Sequence, residues 1–199
     1  KDKYENSLKT ILNQIKQIEN LVNEFSDFAR MPKPLFRKND LISLIKSNIN
    51  LLQKIDITIK IHLKLNGLNN LTLVCDYEQI SRAIFNLIKN SIESIQKKAL
   101  KTKIFDKIID IEITTRKEYI IIDIIDNGLG FTSKEAKEII KPYYTTKQKG
   151  SGLGLSIVNK IINDHNGSIN FNSLKDGAKI QIILPKNINN GSWNTNYWW

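Results

Sequence analysis

YIIIDIIDNGLG, residues 119–130, is the stretch whose reading decides the fold. An apolar run ends on Asp126, and two glycines, Gly128 and Gly130, follow at once. Tyr119 to Ile125 reads as a strand, and Ile108 to Thr115 before it reads as its antiparallel neighbour. Downstream, a glycine-punctuated region runs from Asp126 to Gly154. A helix follows over about Leu155 to Asp164, closed by His165-Asn166-Gly167. Two more strands, Ser168 to Ser173 and Ala178 to Leu184, end at Pro185. Upstream, Asp76 is a plausible N-cap for a helix running to about Ala99. Leu71 to Cys75 is a short strand before it. Ile57 to Leu65 alternates, with Ile57, Ile59, Ile61, Leu63 and Leu65 on one face. Asp40 to Lys54 carries helical spacing. Adjacent strands joined as hairpins rather than βαβ repeats predict an α+β fold, a mixed sheet with helices on one face.

Residues 3–30 read as one long amphipathic helix. Ile11, Ile15, Ile18, Val22, Phe25 and Phe28 recur at three- and four-residue steps, a stripe suited to another helix, in cis or from a second subunit. Met31-Pro32-Lys33-Pro34 ends it, because proline disfavours helix in the residue before it. A domain boundary falls there, giving a helical unit at 1–32 and a globular domain at 36–185. The tail 186–199, with Trp193, Tyr197, Trp198 and Trp199, has no periodicity and reads as irregular, docked, sticky or non-native.

The 199 residues suffice for one domain plus an extra element, with 41% hydrophobic and 25% charged residues. No run of about eighteen apolar residues exists, as a spanning helix needs. The polar Lys1 to Lys9 is no signal peptide, and without an initiator Met the chain reads as a fragment of a longer protein. Cys75 is the only cysteine and reads as a buried strand residue suited to a reducing compartment. The net charge of +10 suits an anionic partner. It is scattered lysine, without the arginine–aromatic stripe that single strands favour, so nucleic acid is not an expected partner.

Four short motifs carry chemistry. In NLIKNS (86–91), Asn86 and Asn90 sit four apart and share a helix face, while Ile84, Leu87 and Ile88 face the core. Amide oxygens suit Mg²⁺ shared with phosphates, though for this motif alone a pair of solvated asparagines is the plainer reading. In DNGLG (126–130), a carboxylate at a strand end can accept a hydrogen bond from an amine such as adenine N6, and the glycines allow close approach. Asn-Gly after an apolar strand is also a hairpin signal. In KPYYTTK (141–147), threonine hydroxyls and lysine suit phosphate, or the stretch is a loop with aromatic anchors. In GSGLGL (150–155), alternating glycines open a helix, where free N–H groups and the helix dipole attract an anion. A glycine hinge fits as well. The pattern is neither a Walker A motif nor a Rossmann fingerprint.

Taken together and in this order, the motifs resemble the asparagine, first glycine, phenylalanine and second glycine boxes of two-component sensor histidine kinases. The resemblance covers about residues 36–185 and implies a Bergerat-type (GHKL) ATP-binding catalytic domain. His165-Asn166-Gly167-Ser168-Ile169 and Asp176-Gly177-Ala178 resemble the family's closing hairpin. The helix at 3–30, running into Glu24-Phe25-Ser26-Asp27-Phe28-Ala29-Arg30-Met31-Pro32, resembles the second helix of the dimerisation domain, in particular that of the nitrogen-regulation (NtrY/NtrB-like) branch.

By that resemblance Asn90 holds Mg²⁺, with Asn86 supporting the metal or its water, and Asp126 reads adenine. Gly128, Gly130, Gly150, Gly152, Leu153 and Gly154 shape the pocket. Thr146, Lys147 and Lys149 contact phosphate, and 131–150 is the lid over ATP. The resemblance further implies transfer of the γ-phosphoryl group to a histidine, then to an aspartate of a response regulator. It implies a homodimer in the full-length protein, and a cytoplasmic domain whose parent is anchored in the bacterial inner membrane. Neither His62, on the polar face of a strand, nor His165, at a helix end, suits the acceptor role. The acceptor helix is expected before Lys1, so this chain should bind ATP without phosphorylating itself. Ser91 stands where alanine is common, a change read as benign. Ala178 stands where threonine is frequent, losing that hydroxyl's contact, and Tyr143 and Tyr144 replace a frequent phenylalanine pair. The alternatives are a GHKL-type ATPase and an ATP-binding module without phosphotransfer.

Overall fold

The structure, a computed structural model, describes residues 2–102, 105–132, 138–139, 144 and 152–187. Helix α1, Asp2–Ala29, leads into strand β1, Arg37–Asp40, and helix α2, Leu41–Leu52. Strands β2, Lys60–Lys64, and β3, Thr72–Cys75, precede the long helix α3, Tyr77–Ala99. The hairpin of β4, Ile108–Arg116, and β5, Tyr119–Asp126, follows. Helix α4, Gly154–Asp164, and the hairpin of β6, Ser168–Leu174, and β7, Gly177–Pro185, complete the order.

Strands β2-β4-β5-β7-β6 form one mixed sheet, in which only the β2–β4 pair is parallel. Alternation sorts its residues by face. Ile109, Ile111, Ile113, Ile120, Ile122, Ile124, Ile180, Ile182 and Leu184 are buried beneath the helix layer. There they meet Leu44 and Ile45 of α2, Ile84, Leu87 and Ile88 of α3, and Val158 and Ile161 of α4. Each such side chain contributes about 1.5–3 kcal/mol on burial. The opposite face carries ion pairs, Lys64–Asp110 at 2.9 Å and Lys179–Asp123 at 2.9 Å among them. The expected one-sided α+β layering is what the chain adopts. No described helix is long and apolar enough to cross a membrane.

One local expectation needs correction, and one strand was not foreseen. The strand expected over Ile57 to Leu65 begins only at Lys60, and Ile57 is 86% exposed rather than facing the core. Asp56 explains the delay, because its Oδ1 accepts both the Thr58 N–H and the Thr58 hydroxyl, at 3.0 and 2.6 Å. That turn occupies the backbone that the alternation assigned to a strand. In addition, Arg37–Asp40 forms β1, pairing antiparallel with β3 as a separate two-stranded ribbon.

The segment after α1 is fastened to the N-terminus of α3. Gln79 Nε2 donates to the Pro32 carbonyl at 3.0 Å, and the Leu35 N–H donates to Asp76 Oδ2 at 2.9 Å. Phe36 meets the ring of His165 edge-on, with centroids 5.2 Å apart. On the α1 stripe, Ile11, Ile15, Ile18, Val22 and Phe25 are all exposed.

Candidate functional site

Asp76 caps α3 by accepting the Gln79 N–H at 3.1 Å, which satisfies an otherwise unpaired first-turn donor. From there Ile80, Ile84, Leu87, Ile88, Ile92 and Ile95 form a buried stripe at three- and four-residue steps. Asn86 and Asn90 lie half-buried at its margin, one turn apart. Ser91 falls on the stripe itself and is buried. Its hydroxyl donates to Asp126 Oδ2 at 2.9 Å, tying the helix to the end of β5.

Asp126 is only 4% exposed, which is unusual for a carboxylate. Its Oδ1 accepts the Gly128 N–H at 2.9 Å. Burial pushes its carboxyl above the ordinary value, while the Gly128 and Ser91 hydrogen bonds and the charge of Lys98 pull the other way. Ser91, expected to be benign, is thus one of two donors holding the buried carboxylate. Its hydroxyl carried no signal in the sequence, because a serine inside a helix is seldom read as a partner for a distant strand end.

The backbone after Asp126 is held equally closely. Asn127 Nδ2 donates to the Asp106 carbonyl, and its Oδ1 accepts the Ile108 N–H at 3.0 Å. Asn127-Gly128 therefore ties β5 back to the start of β4 instead of turning a hairpin. A Cβ on Gly128 would run into the Ser94 hydroxyl, which also accepts the Leu129 N–H at 3.0 Å. Gly130, at φ +71°, lies against the Gly177 carbonyl. Gly177 itself has φ +111°, and a Cβ there would overlap the Asp126 carbonyl oxygen. Only glycine allows β7 to enter this close, beside Ala178, which pairs with Asp126 across the strands. Ser94 is a further site-forming residue that carried no signal in the sequence, whereas Gly177 stood out there only within the closing hairpin.

The second glycine motif is described from Gly152 onward. Leu153 is fully buried in the core, so its side chain anchors the segment instead of facing a ligand. Gly154 opens α4, and a Cβ there would meet nothing within 4 Å. Among the described residues no side chain caps this helix start; Ser156 turns its hydroxyl back to the Leu153 carbonyl at 2.8 Å. Uncapped N–H groups with the helix dipole behind them form an anion-attracting end. Thr146, Lys147, Lys149 and Gly150 lie outside the described residues, as does most of 131–150. Of that segment, Phe131 packs edge-on against Phe171, with centroids 6.0 Å apart.

The histidines are bound up in structural roles. His165 is buried and sits at the end of α4. The Asp76 N–H, 3.0 Å away, can only donate, so Nε2 accepts and Nδ1 carries the proton, donating to the Ile161 carbonyl at 2.7 Å. Burial lowers its basicity. His62 is on the outer face of β2, with Nδ1 2.9 Å from Asp110 Oδ1. An acidic neighbour is therefore present, which the sequence did not suggest, but on a strand of the catalytic layer. Cys75 is buried, and burial pushes its thiol up to about 11, the state of an inert structural cysteine.

Comparison with known proteins places this arrangement among others like it. Residues 75–188 match the family described as histidine kinase-, DNA gyrase B-, and HSP90-like ATPase. A Rickettsia felis protein described as an NtrY-like sensor histidine kinase is 33% identical over 183 residues, covering 92% of this chain and 29% of that protein. Nitrogen regulation protein NtrY of Azorhizobium caulinodans is 33% identical over 175 residues, covering 88% of this chain and 22% of that protein. The chain thus spans less than a third of these relatives. Among solved structures, the catalytic domain of histidine kinase ThkA superposes with a TM-score of 0.66 at 24% identity, covering 76% of this chain and 96% of that one. ThkA in complex with response regulator TrrA superposes with a TM-score of 0.72 at 21% identity, covering 91% of this chain and 51% of that one. At these identities the two structures speak for the fold.

Proposed function

This chain belongs to the family of histidine kinase-, DNA gyrase B- and HSP90-like ATPases, and from that premise we propose that it is the phosphoryl-donor part of an NtrY-type sensor histidine kinase. The observation that carries this reading is the buried carboxylate of Asp126, held by Ser91 and Gly128 and sequence-adjacent through Ser91 to Asn90. With two donors fixing it, Asp126 keeps lone pairs to accept the exocyclic amine of adenine. In a buried setting that hydrogen bond discriminates strongly, because a base lacking the donor leaves the carboxylate unpaired. Gly152 and Gly154 keep the wall free of side chains, while Gly128 and Gly130 let the backbone beside Asp126 close up against Ser94 and Gly177. The uncapped start of α4, with Thr146, Lys147, Lys149 and the backbone of Gly150, meets the negative charge of the phosphates.

The neutral amide oxygens of Asn86 and Asn90 fit a hard cation such as Mg²⁺. Among the described residues no group of three His, Cys, Asp or Glu side chains could hold a metal alone, which suits an ion shared with phosphates and water. Bound there, Mg²⁺ would supply charge neutralisation at the phosphates. The chain's own part is positioning and electrostatic stabilisation, with no covalent step on its side chains.

The acceptor is a histidine on another helix of the parent protein. His62 is on a sheet strand, and both ring nitrogens of His165 are engaged inside the fold. Residues 1–32 are the second helix of the dimerisation unit and 36–185 the catalytic domain. The exposed stripe on α1 pairs with helices of a homodimer, and a response regulator takes the phosphoryl group onward. The parent protein is anchored in the inner membrane, with this part on the cytoplasmic side.

ATP titrated with and without Mg²⁺ tests the reading. The wild-type chain should saturate, more tightly with Mg²⁺. Asp126→Ala should bind at least about tenfold more weakly, roughly 1.4 kcal/mol. No binding by the wild type, or equal binding by both, sinks the proposal. With the parent's preceding helix added, acid-labile phosphohistidine should form on that helix; the present chain alone should form none.

A further inference from the structure

Three side chains on one edge of α3 hold the turn after β5. Ser91, Ser94 and Lys98 recur at steps of three and four, which puts them on one side of the helix. The Ser91 hydroxyl donates to Asp126 Oδ2 at 2.9 Å, and Ser94 Oγ accepts the Leu129 N–H at 3.0 Å. Lys98 Nζ donates to the Asn127 carbonyl at 2.8 Å. Asp126, Asn127 and Leu129 are thus fastened to a single helix edge.

Lys98 differs from the two serines in carrying a charge. A lysine in the last turn of a helix ordinarily extends into water and complements the helix dipole. Lys98 is instead half-buried, and its ammonium lies over the Phe105 ring, 5.1 Å from the centroid. Phe105 and the Asn127 carbonyl together fix the end of an otherwise flexible stem.

The carboxylate within reach of this charge is Asp126. Its strand partners, Ile109 on β4 and Ala178 on β7, are uncharged, and Ser91 and Gly128 bring neutral donors. Burial pushes the Asp126 carboxyl up, while the Gly128 and Ser91 hydrogen bonds and the charge of Lys98 oppose it. Lys98 is the cation in that set. A carboxyl that reads an amine must accept, and the ionised form is acceptor only. A nucleotide seated on it displaces water and makes that charge costlier, which a fixed cation nearby offsets.

We infer that Lys98 is a positioning residue for the base-reading carboxylate. Through the Asn127 carbonyl it fixes the backbone beside Asp126, and with its charge it sustains Asp126 as an acceptor for an exocyclic amine. It acts through Asn127 and Asp126 and not on the nucleotide. The inference rests on the proposed nucleotide site, and it adds a residue outside the four motifs that carry the resemblance.

Lys98→Met and Lys98→Arg in the full chain test this, with Lys97→Met as a control that removes the same charge next door. Carbon-13 resonance titration of the Asp126 carboxyl, without nucleotide, should place its midpoint about half a pH unit or more higher in Lys98→Met than in wild type. Lys98→Arg and Lys97→Met should keep the wild-type midpoint. Isothermal titration should compare ATP with purine riboside triphosphate, which lacks the exocyclic amine. The preference for ATP should fall about threefold or more in Lys98→Met and hold in the other two variants. An unmoved Asp126 midpoint in Lys98→Met, an unchanged preference there, or equal shifts in Lys97→Met would each overturn the inference. If Lys98→Met loses its far-ultraviolet circular dichroism, Lys98→Gln decides in its place. A wild-type chain that binds no ATP, or binds both nucleotides alike, counts against the nucleotide reading. The Asp126 midpoint, measured without nucleotide, still decides whether Lys98 acts on that carboxylate.

Discussion

Burying the carboxyl of Asp126 raises it above its ordinary value of 3.8, and a raised carboxyl has a definite sign for stability. Above its folded value the group is charged in both states, and the folded state bears the desolvation. As pH falls through that raised value the folded protein takes up the proton first and gains stability. Asp126 therefore costs the fold stability at neutral pH, which is the mark of a group kept for binding. In Asp126→Asn, the amide oxygen can still accept the Gly128 N–H, and its NH₂ can donate to Ser91. Thermal unfolding at pH 7 should give a melting temperature no lower than wild type, while ATP affinity falls by at least about tenfold, or 1.4 kcal/mol. His165 has the opposite sign. Burial depresses its basicity below 6.5, so the unfolded chain binds the proton first and stability is lost as pH falls from 6.5 toward the folded value. Denaturant titrations across that window should show this slope, and His165→Gln should flatten it while costing about 1–2 kcal/mol at pH 7. At this scale the sequence exposed Asp126 through its place after an apolar run. Ser91 stayed hidden because its partner is 35 residues away, and helix periodicity says only that it faces inward.

Elements were legible where local pattern and burial agree. Helices α2, α3 and α4 and the β4–β5 and β6–β7 hairpins follow from spacing and turn residues. Strand β1, RKND, was not, because four polar, largely exposed residues carry no alternation, and only their partner β3 makes them a strand. The parallel β2–β4 pairing was equally invisible, since β3 and α3 intervene between the two strands and no turn fixes their register. Two glycines at element ends separate structural from binding roles. Gly177→Ala forces a Cβ onto the Asp126 carbonyl from a positive φ. It should destabilise the fold by roughly 2 kcal/mol or more and weaken ATP through the shifted Asp126. Gly154→Ala puts its Cβ into open space at the first residue of α4. It should leave stability unchanged or raise it by up to about 1 kcal/mol, yet weaken ATP, because the proposed nucleotide site takes in that open space. Chemical denaturation and ATP titration of the pair check both.

For the whole molecule, the layered domain encloses its core, whereas α1 leaves its stripe bare: Ile15 is 56% and Ile18 62% exposed. Contiguous exposed apolar residues along a helix mark a contact surface. Sedimentation of the wild-type chain should show self-association that rises with concentration, and Ile15→Glu should shift the chain to monomer with its circular dichroism preserved. The stripe was legible as a helix face, but what covers it was not, because periodicity reports a face and no partner.

The core beneath the sheet is built very largely from isoleucine, from Ile84 and Ile88 through Ile109 and Ile124 to Ile161 and Ile182. For magnetic resonance that composition is an asset. Isoleucine δ1 methyls can be labelled selectively, so the protein comes with reporters already in place. Ile109 is paired across the sheet with Asp126, and Ile161 lies with Met31, Pro32 and Gln79 at the junction with α1. One labelled sample thus watches the nucleotide end and the junction end of α3 together, through two separate resonances and without an added probe.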